Sequence, residues 1–529
     1  MIELFEINLS VVVFMPLAAG LIGALLPGRF ARWPVLAATV GVLAYAVLMI
    51  VDFESVYRPG FALQYDTDLE WIPELGVRYS LGVDGLNLFL VALTALLWVP
   101  ATLVAALRPV ERPRLFFFQM ALAETAVLGA FLAQDLALFV LFFDLMLVPF
   151  YFLIGAWGRG ARVLATTKFV IYTLVGSLFM LAGAVALGVL ATPEGAEISF
   201  ALAELERRSV PAGAQTWILL LFAAAFLVKM PAFPLHGWVP DTYRATSIPV
   251  LVLFSAVLSK VGAYGFLRIV LPILPDAAAL LQELFIAIAV VSILYGSVLA
   301  FAQDDARLVV AYSSIAQLGF ILLGIFSLDP KGAQGAVMQM VNHGLVTAAL
   351  FLIIGLLAAR AGGSDSLARM GGTAFRAPVL AGLFLVVALA TLAMPGSPNF
   401  VGEVLILFGA YEQHLVLGIV ASAGVVLAAV YMIRAFQKAM HNRVGPQVSP
   451  GDLGVLDTVA IAPLVLVIVA LGVYPQVLLE RTEGATVAQI EEAAARAKAP
   501  VAALGPGAPP EAQARVEPIA VPGAPAGDR

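Results

Sequence analysis

Hydrophobic residues in this chain gather into runs of about 20, each closed by a short polar stretch. This long period overrides the helical and strand repeats inside the runs. A sliding window of about 19 residues marks about fourteen spans. They lie near residues 8–27, 34–52, 83–107, 114–131, 134–157, 165–191, 216–235, 246–272, 278–302, 305–326, 333–360, 373–411, 414–439 and 456–479. The pattern predicts an all-α polytopic membrane protein. The first run, Leu9 to Pro27, lacks a basic leader and an A-x-A cleavage pattern, so it reads as a retained span and not a signal peptide.

Two spans are interrupted. The seventh breaks at Met230-Pro231-Ala232-Phe233-Pro234-Leu235-His236-Gly237-Trp238-Val239-Pro240-Asp241, and the twelfth at Met394-Pro395-Gly396-Ser397-Pro398-Asn399. Five spans separate the breaks, which predicts two five-helix repeats, spans 4–8 and 9–13, each with a broken helix. An odd helix count inverts the second repeat relative to the first, the arrangement in which transporters line ion sites with unwound backbone. The expected organisation is a three-helix segment over 1–110, the first repeat over 111–272, the second over 273–440, a last transmembrane helix over 441–480, and a tail over 481–529. The tail is rich in Ala, Pro, Glu and Gly and predicts a short helix followed by disorder.

Composition agrees with a membrane protein: 62% hydrophobic residues, 12% charged and a mean hydropathy of +0.99. The net charge of −6 is spread over loops and tail without a basic face, which argues against nucleic acid as a partner. Absence of cysteine excludes disulfides, thiolate-held iron–sulfur clusters and cysteine nucleophiles, and no cofactor or metal site is expected in this chain. Alternate loops are rich in arginine and lysine (Arg29 and Arg32; Arg108, Arg112 and Arg114; Arg159, Arg162 and Lys168; Arg360, Arg369 and Arg376; Arg434, Lys438 and Arg443). The other loops are poor in both and include the acidic stretch Asp66 to Glu74, so the positive-inside rule predicts both termini on the outer face.

Ionisable residues within the spans are the candidate chemistry. Glu124 falls in span four, Asp144 in span five, Lys229 in span seven at the break, Lys260 in the centre of span eight, His343 in span eleven and Glu403 just past the break of span twelve. Even on mild insertion scales a lysine at the bilayer centre costs roughly 2.5–3.5 kcal/mol, so its presence calls for a function. Burial penalises the charged form of every one of these groups, which makes them candidates for reversible protonation and, linked by water, for a proton relay. A lone intramembrane His or Glu also serves as a hydrogen-bonding link between helices, and His343 and Glu124 carry both readings. Lys229 and Lys260 have apolar sequence on both sides and are poorly placed to snorkel. Asp84 and Asp135, at span edges, read as capping or loop residues.

Several segments carry a resemblance: Asp144-Leu-Met-Leu-Val-Pro-Phe-Tyr-Phe-Leu-Ile-Gly-Ala-Trp-Gly158, Lys229-Met-Pro-Ala-Phe-Pro-Leu-His-Gly-Trp-Val-Pro-Asp241, Leu258-Ser-Lys-Val-Gly-Ala-Tyr-Gly-Phe266, Ala311-Tyr-Ser-Ser314, Asn342-His-Gly344 and Phe400-Val-Gly-Glu403. In this order they resemble the antiporter-like membrane subunits of respiratory complex I (NADH-quinone oxidoreductase), from about residue 75 to 440. The pattern around span five is most similar to M-type chains. The long lateral helix that marks L-type chains is not expected here.

The resemblance implies a hydrated polar axis through Asp144, Lys229, Lys260 and Glu403, with His343 beside it. It implies proton pumping coupled to quinone reduction elsewhere, with NADH, flavin mononucleotide, iron–sulfur clusters and quinone on partner subunits. It further implies adjacent antiporter-like chains as partners and a bacterial inner membrane as location. An Asp144–Lys229 ion pair is expected to switch, releasing a proton toward Lys260 and Glu403. Two residues depart from the family pattern. Asp144 stands where Glu is usual, one methylene shorter, and reaches Lys229 directly or through water. Gln317 stands where a histidine is common after the Tyr-Ser-Ser motif, and an amide orders water but carries no proton. The same fold serves multisubunit sodium/proton antiporters and membrane-bound hydrogenases, which remains the alternative reading.

Overall fold

Inside a bilayer an apolar segment has no water to satisfy its backbone, so runs of this kind fold as helices that pair every N–H and C=O internally. The computed structural model describes residues 8–53, 63–445 and 447–498 and is a helical bundle. Among the described residues twelve helices are long and apolar enough to cross a membrane, thirteen when the bent pair Leu367–Phe375 and Pro378–Thr391 is taken as one span. The first predicted span is a shorter apolar helix, Leu9–Leu25. Fourteen long spans are therefore not reached: the first helix is short, and the twelfth span is two half-helices, Pro378–Thr391 and Pro398–Gln413.

Helices differ sharply in how far their neighbours cover them. The most apolar 18-residue stretch of Ile248–Ile273 is wholly buried, and those of Ala306–Phe326 and Pro330–Arg360 are 94% buried, whereas those of Arg32–Asp52 and Val455–Val473 are only 33% and 28% buried. The three interior helices carry Lys260, Gln317 and His343, so the candidate chemistry sits at the centre of the bundle. Around them pack Gln282–Ala302 on Ala306–Phe326, Pro398–Gln413 on Pro330–Arg360, and Arg162–Leu190 on Ala212–Lys229.

One end of the bundle departs from the hydropathy reading. The region read as an acidic loop contains an antiparallel hairpin, β1 (Gln64–Ile72) and β2 (Val77–Val83), turned at Gly76 with φ +66°. Its alternation of Tyr65, Thr67, Leu69 and Trp71 with acidic residues has the period-two signature of a strand, which a 19-residue window averages away. The third span accordingly begins later than expected, at Leu88, after the Asp84 side chain has accepted the N–H groups of Leu86 (2.9 Å) and Asn87 (3.2 Å). Asp135 caps the helix starting at Leu136, as the sequence suggests, accepting from Leu138 N.

The short helix expected in the tail is instead a helix of 23 residues, Gln476–Lys498, which begins before the composition changes near residue 480. It buries Leu478, Thr482, Thr486, Gln489, Ile490 and Ala493, a single face at helical spacing, against the hairpin end of the bundle. Gln334 Nε2 donates to Leu479 O (3.1 Å) and Arg496 pairs with Asp276 (3.4 Å). Half of the stripe is Thr and Gln, which explains its weak hydropathy signal. The disorder expected further along the tail lies outside the described residues.

Arginine-rich loops occupy the opposite end. There Arg108 pairs with Asp457, Arg244 with Asp305, Arg307 with Asp365, and Arg434 and Lys438 with Asp304.

Candidate functional site: a buried polar line through two broken helices

Helix Ala212–Lys229 stops at the lysine because Pro231 and Pro234 offer no N–H to continue the ladder. Chain order resumes in the short helix Val239–Ala245. Met230 N makes the last regular bond, to Phe226 O (2.8 Å), and the carbonyls freed beyond it are taken up locally: Ala232 N donates to Leu227 O (3.0 Å) and Trp238 Nε1 to Val228 O (3.1 Å). Lys229 is the last residue of its half-helix, where the carbonyl end of the helix dipole favours a cation. It is 2% exposed, donates to Phe143 O at 3.4 Å and lies 4.2 Å from the centre of the Phe143 ring.

Of the two expected arrangements, direct or through water, the direct Asp144–Lys229 pair is not formed. No carboxylate oxygen lies within 4.0 Å of the Lys229 amine among the described residues, and Asp144 Oδ1 has no partner. Asp144 still interacts electrostatically with Lys229 and lies against Ser177. The amine contacts the neighbouring residue, Phe143, and the short aspartate side chain does not close the remaining gap.

Lys260 sits between two π-helical stretches, Phe254–Leu258 and Phe266–Val270, which widen the helix on either side of its turn. Gly262 lets this helix approach the first broken helix: a Cβ there would fall 2.6 Å from Phe226 O and 3.3 Å from Lys229 Cβ. Lys260 is fully buried, and its amine contacts His343 Nδ1 (2.8 Å), Ser259 Oγ (3.2 Å) and Ser255 O (3.4 Å). When Lys260 is an ammonium it can only donate, so Nδ1 then accepts and the imidazole proton sits on Nε2, which meets Ser314 Oγ at 3.3 Å.

At the second interruption the chain turns through Gly396 at φ +94°, a value that suits glycine, and restarts at Pro398 with Ser397 Oγ accepting from Phe400 N (3.4 Å). Glu403 follows, buried. Its Oε1 accepts from Gln317 Nε2 (2.8 Å), and Gln317 Oε1 accepts from Gln339 Nε2 (2.7 Å), while Oε2 has no partner among the described residues. Asn342 Nδ2 donates to Pro398 O (2.8 Å), at the start of the second half-helix. Gln339, Asn342 and His343 share one face of Pro330–Arg360, so this helix joins the lysine side to the glutamate side.

Lys260, His343 and Ser314 thus form one hydrogen-bonded group, and Gln339, Gln317 and Glu403 a second. Ser314 and Gln317 lie one turn apart on Ala306–Phe326. Glu124 stands outside both, fully buried, with neither carboxylate oxygen partnered among the described residues. Three features escape sequence reasoning. Gln339 is uncharged, and a lone amide within an apolar run does not mark a proton path. Tyr431, buried within electrostatic reach of Glu403, reads as an ordinary aromatic. Arg268, in the same apolar run as Lys260, is visible as a charge, and it is buried in a 2.6 Å ion pair with Asp84.

The family described as NADH:quinone oxidoreductase/Mrp antiporter, TM matches residues 133–428. NADH-quinone oxidoreductase subunit M of Rhodobacter capsulatus is 34% identical over 488 residues, covering 89% of this chain and 94% of that protein. A chain of respiratory complex I from Thermus thermophilus with bound NADH superposes with a TM-score of 0.82 at 31% identity, covering 92% of this chain and 99% of the other. A chain of the Mrp complex from a Dietzia species shares the fold at 22% identity, with a TM-score of 0.78, covering 92% of this chain and 99% of its own.

Proposed function

The chain belongs to the NADH:quinone oxidoreductase/Mrp antiporter transmembrane family, and from that premise we propose that it is a proton-translocating membrane subunit of an NADH-quinone oxidoreductase, of the subunit M type. The observation that carries the reading is the pair of buried hydrogen-bonded groups, Lys260–His343–Ser314 and Gln339–Gln317–Glu403, set between a lysine-bearing half-helix and a glutamate-bearing one. Identity above 30% to subunit M and to the complex I chain, against 22% to the Mrp chain, favours quinone-linked pumping over the exchanger alternative.

In this reading Asp144 is the switch. Its charge holds a proton on Lys229, and its protonation or displacement releases that proton toward Lys260. His343 accepts from Lys260 and passes a proton to Ser314 or to water beside it. Gln317 cannot carry the proton onward, so water bridges from Ser314 to Glu403, and the Gln317 amide holds the Glu403 carboxylate in place to receive it. Moving one charge across the membrane potential takes about 2.3 kcal/mol per 100 mV, which sets the scale of work that quinone reduction on partner subunits supplies.

NADH, flavin mononucleotide, iron–sulfur clusters and quinone belong to those partners, in keeping with a chain that has no cysteine. Adjacent antiporter-like chains flank this one in a bacterial inner membrane, with the hairpin end and both termini on the outer face. The test is donor-driven, quinone-dependent proton uptake in inverted vesicles, with donor oxidation followed in parallel. Lys229→Met in an assembled complex is expected to lower pumping by about ten-fold or more. Full pumping by that variant would refute the relay, and a parent that oxidises donor without pumping would favour the antiporter reading.

A further inference from the structure

Helix Ile248–Ile273 holds two further polar side chains on the stripe that carries Lys260. Tyr264 and Arg268 follow at four and eight residues, the spacing that stacks side chains on one helix face. At the usual rise per residue Arg268 lies about 12 Å along the axis from Lys260, toward the hairpin end. All three are buried, Lys260 and Tyr264 completely and Arg268 to within 2%. Arg268 Nη1 donates to Asp84 Oδ2 (2.6 Å) and Nη2 to Gln134 Oε1 (2.6 Å). Glu206, on the short helix Leu202–Arg207, stands close enough to act on both Arg268 and Asp84. Tyr264 donates to Phe131 O (3.0 Å), and Asn87 Nδ2 donates to the same carbonyl (2.8 Å) and to Gly82 O (2.9 Å). A column of polar side chains therefore lies between Lys260 and the hairpin, away from Glu403, with no direct hydrogen bond between Lys260 and Tyr264 among the described residues.

Such a column is a hazard in a pump, since any proton able to follow it would bypass the rest of the relay. A guanidinium is the side chain suited to block it. A hydrogen-bonded wire conducts only where each member accepts one proton while donating another, and arginine has five donors, no acceptor and no accessible deprotonated form. Its fixed charge, in a dry and weakly screening interior, also repels an approaching hydronium. Asp84 and Gln134 hold it in the column and offset the penalty of burying it.

We propose that Arg268 is a proton barrier that closes the Lys260 site toward the hairpin end, so that a proton on Lys260 leaves only through His343 toward Glu403. The inference rests on the proton-carrying reading of Lys260. If Arg268 and Asp84 only tied the hairpin to the bundle, breaking the pair by either partner would have the same effect. A barrier depends on the guanidinium, which Gln134 still holds when Asp84 is made neutral.

The experiment is passive proton flux through the intact complex in sealed proteoliposomes, with no electron donor, a trapped pH-sensitive dye and the potential clamped by potassium and valinomycin. Arg268→Gln combined with Asp84→Asn leaves a neutral hydrogen-bonding pair and no lone buried charge. It is expected to raise flux over the parent by about ten-fold or more, and adding Lys260→Met is expected to return it to the parental value. Asp84→Asn alone keeps the guanidinium, still bonded to Gln134, and is expected to leak clearly less than the paired variant. Flux within about two-fold of the parent in the assembled Arg268→Gln/Asp84→Asn complex, an equal leak from Asp84→Asn alone, or a leak that survives Lys260→Met would overturn the barrier. Should the paired variant fail to assemble, Arg268→Lys decides: an amine can release its proton, so flux above the parent supports the barrier and parental flux refutes it. Donor-driven pumping by the parent in the same vesicles separates failure of the proposed function from failure of the barrier, because passive flux needs no donor.

Discussion

Six ionisable residues, Glu124, Asp144, Lys229, Lys260, His343 and Glu403, were legible as candidates in the sequence because a charge or imidazole within an apolar run has no cheap explanation. Their partners were not. Gln339 and Ser314 are neutral, and nothing in their local sequence tells that one meets Gln317 and the other His343. Arg268 carries the same signal as the lysines, yet near the end of an apolar run it is indistinguishable from a snorkelling side chain until the hairpin folds Asp84 onto it. The open gap between Asp144 and Lys229 gives a prediction at this scale. Asp144→Glu adds one methylene and is expected to keep or raise pumping, while Asp144→Asn, which cannot take a charge, is expected to lower it by about ten-fold or more in the same vesicle assay. Gln317→Leu strands Glu403 Oε1 and the Gln339 amide in the interior. It is expected to destabilise the chain by about 1–3 kcal/mol, read as a lower unfolding temperature of the detergent-purified complex, and to reduce pumping as well.

Among the elements, the long helices followed from hydropathy and both interruptions from proline and glycine, since backbone that cannot complete its ladder must stop. The hairpin did not follow, and the helix Gln476–Lys498 followed only as a shorter one, because each is amphipathic at a period that a membrane-length window suppresses. Helix starts also borrow caps from far away. The first turn of Pro378–Thr391 is held by Asp452, which accepts from Val379 N (2.7 Å) and Leu380 N (3.1 Å) across more than 70 residues of chain. Burial works against the charged Asp452 carboxylate, but these N–H groups, Leu453 N and Arg360 outweigh it and hold its pKa below the ordinary value. A depressed carboxylate pKa means stabilisation that is present above the unfolded-state value and is lost as pH falls through the folded one. Asp452→Asn is therefore expected to cost about 1 kcal/mol at neutral pH, with the difference from the parent shrinking only in strong acid, as read by thermal unfolding over a pH series.

Across the whole molecule, the two ends of the bundle differ in chemistry: ion-paired arginines at one, the hairpin, the C-terminal helix and the Arg268 column at the other. The absence of native cysteine makes the orientation directly testable. Glu74→Cys, exposed in the hairpin turn, is expected to react with a membrane-impermeant maleimide in intact spheroplasts, and Glu111→Cys, exposed at the arginine-rich end, only after permeabilisation. The reverse result would invert the proposed topology. What the sequence determined by itself was the membrane, the helices, the breaks and the depth of most charges, because transfer free energy adds up residue by residue along a segment. What only the tertiary structure decided was which side chains meet: Lys260 with His343 across 83 residues, Gln317 with Glu403 across 86, Arg268 with Asp84 across 184, and Lys229 with Phe143 rather than Asp144. Those contacts depend on how helices pack, turn and close against one another, as where Gly262 admits the first broken helix, and no local hydropathy sum contains that information.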